Sequence, residues 1–270
     1  MRKIYGKSIK LIRKSKGISQ VELAQGIMSR SNLSNFENNH YIPTFDKVIQ
    51  LLTRLNLSTE EFILISDKKV AYYQTLYNEL TTSENCRDLN NLIIVDKKIA
   101  NVKFLSNKYY ELYLLSQYVL NLHGLEFTVS VNEIKSYIKP LLFKSDQWFK
   151  RELQLYNNFL FLFDYSENQI LYNKVIKKLD RKDIPTPSKE YRVHLSLNYG
   201  IQLINEECWE LANKVLIRGK SDAHKNNLFF QELLIDCLIL NQTEQTKYIF
   251  DKLIDLGYEN KLNIIQWYLK

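Results

Sequence analysis

A chain of 270 residues, 45% hydrophobic and 13% aromatic, has enough apolar side chain to bury the core of one large domain or two ordinary ones, which excludes wholesale disorder. Its longest uninterrupted apolar run, Phe159 to Phe163, falls far short of the ~20 residues that span a bilayer, and its basic start has no apolar stretch of the signal-peptide kind, so no membrane partner is expected. The net charge of +7 sits at the front: residues 1–66 hold ten Lys/Arg against five Asp/Glu and the remainder 27 against 25, which predicts a small polyanion-binding module ahead of a near-neutral body.

Seven glycines and four prolines in the whole chain predict few tight turns and long helices. The three cysteines, Cys86, Cys208 and Cys237, are odd in number and widely spaced, which reads as reduced thiols in a cytoplasmic protein.

Residues 1–66 divide into five short helices. Tyr5, Ile9 and Ile12 form one apolar stripe on a first helix that ends near Lys16-Gly17. Ser19 and Glu22 make a capping box for a second helix, QVELAQ, which buries Val21 or Leu23 together with Ala24. Gly26-Ile27-Met28 is a turn, and Ser29 caps a third helix in which only Leu33 and Phe36 face inward. After Pro43, Thr44 caps the fourth helix, TFDKVIQLLTRLN, and STEEFIL opens the fifth.

A third helix with so narrow an apolar face presents nearly all its polar side chains outward. Packed behind a short helix and a tight turn, it reads as the recognition helix of a helix-turn-helix. Arg30 and Ser31 stand in its first turn with Ser29 and Asn32, and Asn35 lies one turn beyond Ser31. Arg suits guanine O6/N7 and Asn suits adenine N6/N7. Gln20 is placed for phosphate or a base edge, and Lys10 for the DNA backbone.

These residues resemble the Cro/C1-type (XRE) helix-turn-helix. The pattern runs Ile9, Arg13, Gly17-Ile18-Ser19-Gln20, Leu23-Ala24, Leu33-Ser34, Phe36-Glu37-Asn38 and Pro43. Two departures stand out. The turn between Ala24 and Ser29 is one residue shorter than in the commonest version, and Asn39 replaces the usual Gly. Asn tolerates the left-handed conformation that Gly would take there. The resemblance implies that Arg13 and Glu37 form a partly buried structural ion pair.

From residue 67 to 270 the pattern is helical almost throughout and shows no sustained strand alternation. The expected helices are 68–82, 86–105, 107–123, 130–143, 146–163, 166–180, 188–205, 207–219, 224–240, 242–256 and 260–269. Breaks fall at Gly124, at the PTP of residues 185–187, at Gly219 and at Gly257. Helix pairs of this length stack into an α-solenoid, and two segments, CWELANKVLIRGK and TEQTKYIFDKLIDLG, recur near the tetratricopeptide period. The expected fold is therefore all-α: a helix-turn-helix domain over 1–66 and a tetratricopeptide-like helical-repeat domain over 67–270.

The head, the chain length, the helical body and the segment WFKRELQLYNNFLFLF together resemble the Rgg/MutR branch of the RRNPP peptide-sensing transcriptional regulators. The resemblance implies a cytoplasmic homodimer on double-stranded promoter DNA, with a short hydrophobic signalling peptide in the helical repeats and RNA polymerase as a further candidate partner. A body that binds a protein partner instead of a peptide stays open as the alternative.

A groove for an extended peptide needs amides to pair its backbone and apolar walls. Arg151, Gln154 and Asn158 fall on one face of the 146–163 helix beside Trp148. His194, Asn198 and Gln202 make a second polar line on the 188–205 helix, and Arg151 is positioned for a peptide carboxylate. The apolar residues Ile264, Ile265, Trp267, Tyr268 and Leu269 suit a self-complementary dimer contact.

No catalytic constellation is evident. His40, His123, His194 and His224 are far apart, none has a His or Cys at metal-ligand spacing, and phosphate-binding glycine loops are absent. The expectation is a regulator with no cofactor, no metal and no enzymatic activity.

Overall fold

A computed structural model of the protein describes residues 5–180 and 189–240, together with 248, 251, 254 and 255. The expected helix 260–269 with its apolar dimer residues, the PTP and Gly257 breaks and most of 242–256 lie outside the described residues. The chain divides into two compact units, Met1–Glu79 and Leu80–Lys270. Among the described residues every regular element is a helix.

The first unit opens with α1 (Tyr5–Ser15), α2 (Gln20–Ala24), α3 (Arg30–Glu37), α4 (Phe45–Arg54) and α5 (Thr59–Ser66). Ser19 and Glu22 close the capping box on α2, Ser29 Oγ accepts the Asn32 N–H, and Ser58 with Glu61 closes a second box on α5. Thr44 holds the N-cap of α4 by backbone alone. On α2 the buried pair is Leu23 and Ala24, while Val21 is exposed. Ile9, Leu23, Leu33, Phe36, Leu51 and Phe62 meet in one core.

Gly6 is the hidden requirement of this packing. A Cβ there would lie 1.8 Å from the Phe36 carbonyl oxygen, so α1 reaches the end of α3 only without a side chain. Asn39 follows at φ 62°, the left-handed conformation expected of the residue that replaces Gly.

α6 (Lys68–Asn85) contains the division between the units. The second unit continues with α7 (Leu89–Ala100), α8 (Asn107–Leu122), α9 (Val131–Phe143), α10 (Lys150–Phe159), α11 (Tyr165–Leu179), α12 (Lys189–Asn205), α13 (Trp209–Lys225) and α14 (Phe229–Leu240). α8 is its central post: residues 111–120 are all buried. Cys237 of α14 is packed in the core, and burial, with the Asp236 charge, pushes its thiol up to about 11.

Three expected spans are corrected. The 86–105 helix ends at Ala100, and Lys103–Leu105 forms a separate 3-10 turn. The 146–163 helix ends at Phe159, followed by a 3-10 turn over Leu160–Leu162. There the Asn168 side chain takes the carbonyls of Leu160 and Phe163. Gly219 does not break its helix, because α13 runs on to Lys225. A Cβ on Gly219 would stand 2.8 Å from Ser196 Cβ, so this glycine serves the close crossing of α12 and α13.

Candidate nucleic-acid interface and ligand face

α3 carries two opposed faces. Leu33, Phe36 and Glu37 are buried, whereas Ser29, Arg30, Ser31 and Asn35 are exposed and Asn32 is half-buried. The guanidinium of Arg30 and the amide of Asn35 are thus offered to solvent from a helix anchored by two apolar side chains.

The anchor is reinforced by charge. Arg13 Nε donates to Glu37 Oε1 at 2.6 Å and Nη2 to Oε2 at 2.9 Å, while Nη1 donates to the Ile18 carbonyl at 2.8 Å. One side chain therefore ties α1 to α3 and to the loop before α2. Burial pushes the Glu37 carboxyl up. The hydrogen bonds from Arg13 and Gln20, with the charges of Arg13 and Lys10, outweigh it and hold the group below the usual carboxylate range.

The sequence places Gln20 for phosphate or a base edge. Its Nε2 donates to Glu37 Oε2 at 2.9 Å, which fixes the amide with one N–H and its oxygen left over. Lys10 Nζ donates to Asn38 Oδ1 at 3.1 Å, beside the last turn of α3. Arg54 donates to the carbonyls of Glu22, Leu23 and Gln25 and so finishes the C-terminal end of α2.

The second unit separates the residues expected to line a peptide groove. Trp148 is 1% exposed and packs edge-on to Tyr156 at 5.5 Å, so it belongs to the core and not to an open wall. Gln202 is buried as well: its Nε2 donates to the Phe163 carbonyl at 2.8 Å, and its Oε1 accepts from Asn168 Nδ2 at 2.6 Å. Asn198 Nδ2 reaches Asn157 Oδ1 at 3.2 Å, and His194 Nε2 lies 3.5 Å from Gln231 Nε2. The polar line of α12 thus ties this helix to α10, α11 and α14. Burial lowers the pKa of His194 despite the opposing charge of Glu190.

On α10 the picture differs. Gln154 and Asn158 are half-buried, and neither side chain makes a hydrogen bond among the described residues. Arg151, one turn earlier, is exposed and paired with Glu111 of α8. These three bring to one helix face two amides with no hydrogen bond among the described residues and an ion-paired guanidinium.

Sequence reading missed Glu111, Asn157 and Asn168. Glu111 sits between Tyr110 and Leu112 in a run where helical spacing places it inward, and a charged residue at such a position signals a buried partner. Asn168 is the fourth residue of α11 and reads as ordinary surface; no local signal marks it. Among the described residues no group of three His, Cys, Asp or Glu is placed to hold a metal ion.

Two family models match the chain in tandem. Residues 9–62 match the helix-turn-helix model, and residues 120–230 match the C-terminal domain of the HTH-type transcriptional regulator Rgg. The chain belongs to the Rgg-type transcriptional regulators.

Solved structures share the fold of this Rgg-type regulator. The Streptococcus dysgalactiae SHP pheromone receptor Rgg2 is 16% identical with a TM-score of 0.70, and the match covers 98% of each chain. Bacillus thuringiensis PlcR, solved with the peptide PapR7 and DNA, is 16% identical with a TM-score of 0.72 over 98% of this chain and 97% of its own. PrgX, solved with cCF10, is 16% identical with a TM-score of 0.68 over 98% and 90%. No curated protein sequence matches the regulator. No helix among its described residues is long and apolar enough to cross a membrane.

Proposed function

We propose that this regulator binds promoter DNA through α3 and responds to a short, mostly apolar peptide held by its helical body. The observation that carries the reading is the tandem of a helix-turn-helix with an Rgg C-terminal domain on one chain. Support for the DNA half comes from α3, which exposes Ser29, Arg30, Ser31 and Asn35 over an ion-paired base. Lys10 flanks it as a backbone contact and Gln20 as a phosphate or base-edge contact, and Asn32 completes the first turn. Support for the peptide half comes from the α10 face, where the amides of Gln154 and Asn158 make no hydrogen bond among the described residues and can pair an extended backbone. The similar fold of Rgg2, a pheromone receptor, and of PlcR, solved with peptide and DNA, points the same way.

One helix-turn-helix contacts few base pairs, so the working form is a homodimer on two half-sites about 34 Å apart or a multiple of that. Its place is the cytoplasm, and its action is regulatory, not enzymatic.

The experiment is direct. Full-length protein is used to select duplexes from a random library, and calorimetry then titrates it with synthetic apolar heptapeptides. The reading expects an enriched two-half-site motif and saturable peptide binding. A library that stays unenriched overturns the DNA half; heptapeptides that give no heat overturn the peptide half.

A further inference from the structure

Arg151 is exposed, yet it is not a free cation. Its Nε donates to Glu111 Oε2 at 3.3 Å, its Nη2 donates to Glu111 Oε1, and its Nη1 meets Glu152 Oε1 at 3.4 Å. The exposures are unequal: the Arg151 side chain is 46% accessible, Glu152 13% and Glu111 only 6%. Glu111 belongs to the wholly buried stretch of α8, and its carboxylate is bonded to this exposed guanidinium. Arg151 is therefore the cover of a buried carboxylate.

The charges decide what such a cover can bind. Two carboxylates and one guanidinium sum to one negative charge. The Glu111 hydrogen bond, together with the charges of Glu111 and Glu152, holds the Arg151 proton more tightly than usual. Two of the guanidinium's three nitrogens are committed to Glu111, a carboxylate that cannot be left unpaired in the interior. A ligand carboxylate arriving here meets few spare donors and a net repulsive field. An uncharged amide or an ammonium meets the reverse.

We infer that Glu111 is a specificity-determining residue: it makes the Arg151 end of the α10 face select an uncharged or cationic group of the bound peptide and reject a carboxylate. This departs from the sequence-based expectation that Arg151 receives a peptide carboxylate, and it rests on the peptide reading above.

The test uses full-length protein and a panel of apolar heptapeptides, each made as the free acid and as the carboxamide. Wild-type protein binds the carboxamides more tightly, by about 5-fold or more, the effect of one unit charge at about 4 Å even at the dielectric of bulk water. Glu111→Gln keeps the shape and removes the charge, so it narrows or reverses that ratio while both forms still bind. Should Glu111→Gln fold poorly, the wild-type ratio stands as a test by itself, and Glu152→Gln supplies a second, more accessible charge to remove. Tighter wild-type binding of the free acids overturns the inference, as does an unchanged ratio in a folded Glu111→Gln. Binding of neither form to wild-type protein removes the peptide reading, and this inference with it.

Discussion

The Arg13 guanidinium on α1 grips the Glu37 carboxylate on α3 through two hydrogen bonds, and the Glu37 side chain has no solvent access. Breaking a buried pair from one side leaves an uncompensated charge, which costs about 3 kcal/mol or more. Arg13→Ala is expected to lower the melting temperature of the full-length protein at pH 7 by several degrees. The carboxyl is held below its unfolded value, so the pair contributes fully above about pH 5 and its contribution fades as pH falls through the folded value. Melting curves of wild type and Arg13→Ala should therefore converge in acid. Equal stability at pH 7 would show that the pair does nothing for the fold.

DNA binding separates two kinds of contact. Arg30 is exposed in the first turn of α3, the part of a recognition helix that meets base edges; if it reads a guanine, Arg30→Ala should cost about 1–3 kcal/mol on a selected duplex and relax preference at one position. Lys10→Ala should weaken selected and random duplexes alike and reduce the salt slope by about one. Fluorescence anisotropy across a salt series measures both. Equal losses from Arg30→Ala on the two kinds of duplex would remove Arg30 from base reading.

The helical crossing of α12 and α13 offers a paired test. In a helix interior Gly→Ala normally gains about 1 kcal/mol. At Gly219 the new Cβ would meet Ser196 Cβ at 2.8 Å, an atom fixed to its backbone, so overpacking should win and cost about 1–3 kcal/mol. At Gly200 the new Cβ would meet Leu216 Cδ2 at 2.5 Å and Cγ at 2.7 Å, closer than at Gly219 but beyond the Cβ of a side chain that can shift as a whole, so Gly200→Ala should be the milder. Urea denaturation that ranked Gly200→Ala as the worse of the two would contradict this account.

Residues whose role is set by near neighbours were legible in the sequence. Ser19 with Glu22, Ser29 before a polar helix, and Leu33 with Phe36 declare themselves by spacing, and the capping bonds and the buried face follow from it. Roles set by distant packing were not. Gly219 carries the composition signal of a helix break, and only the approach of Ser196 turns it into a packing residue. The α12 amides stand at spacings that suit a groove, but partners from other helices, Asn157 and Asn168, engage Asn198 and Gln202. Trp148 looks like a groove wall until Tyr156 packs against it. A helix pattern tells which side chains share a face, not what covers that face.

The same distinction supplies the last prediction. Asn158 and Asn198 have the same chemistry and both sit inside helices, where Asn costs roughly half a kcal/mol against Ala. Asn198 donates to Asn157 across to α10, whereas Asn158 makes no side-chain bond among the described residues. Asn198→Ala should therefore destabilise the body by about 1 kcal/mol, with peptide affinity changing only in step with stability. Asn158→Ala should leave melting unchanged or slightly raised and weaken peptide binding by about 1 kcal/mol, because only the ligand loses a partner. Gln202 belongs with Asn198: it is buried and bonded at both ends of its amide, so Gln202→Ala should act on melting first. Calorimetry and thermal unfolding on the three variants separate the roles. A loss of stability in Asn158→Ala, with binding that merely follows it, would place Asn158 among the structural amides and leave the α10 face without its central ligand contact.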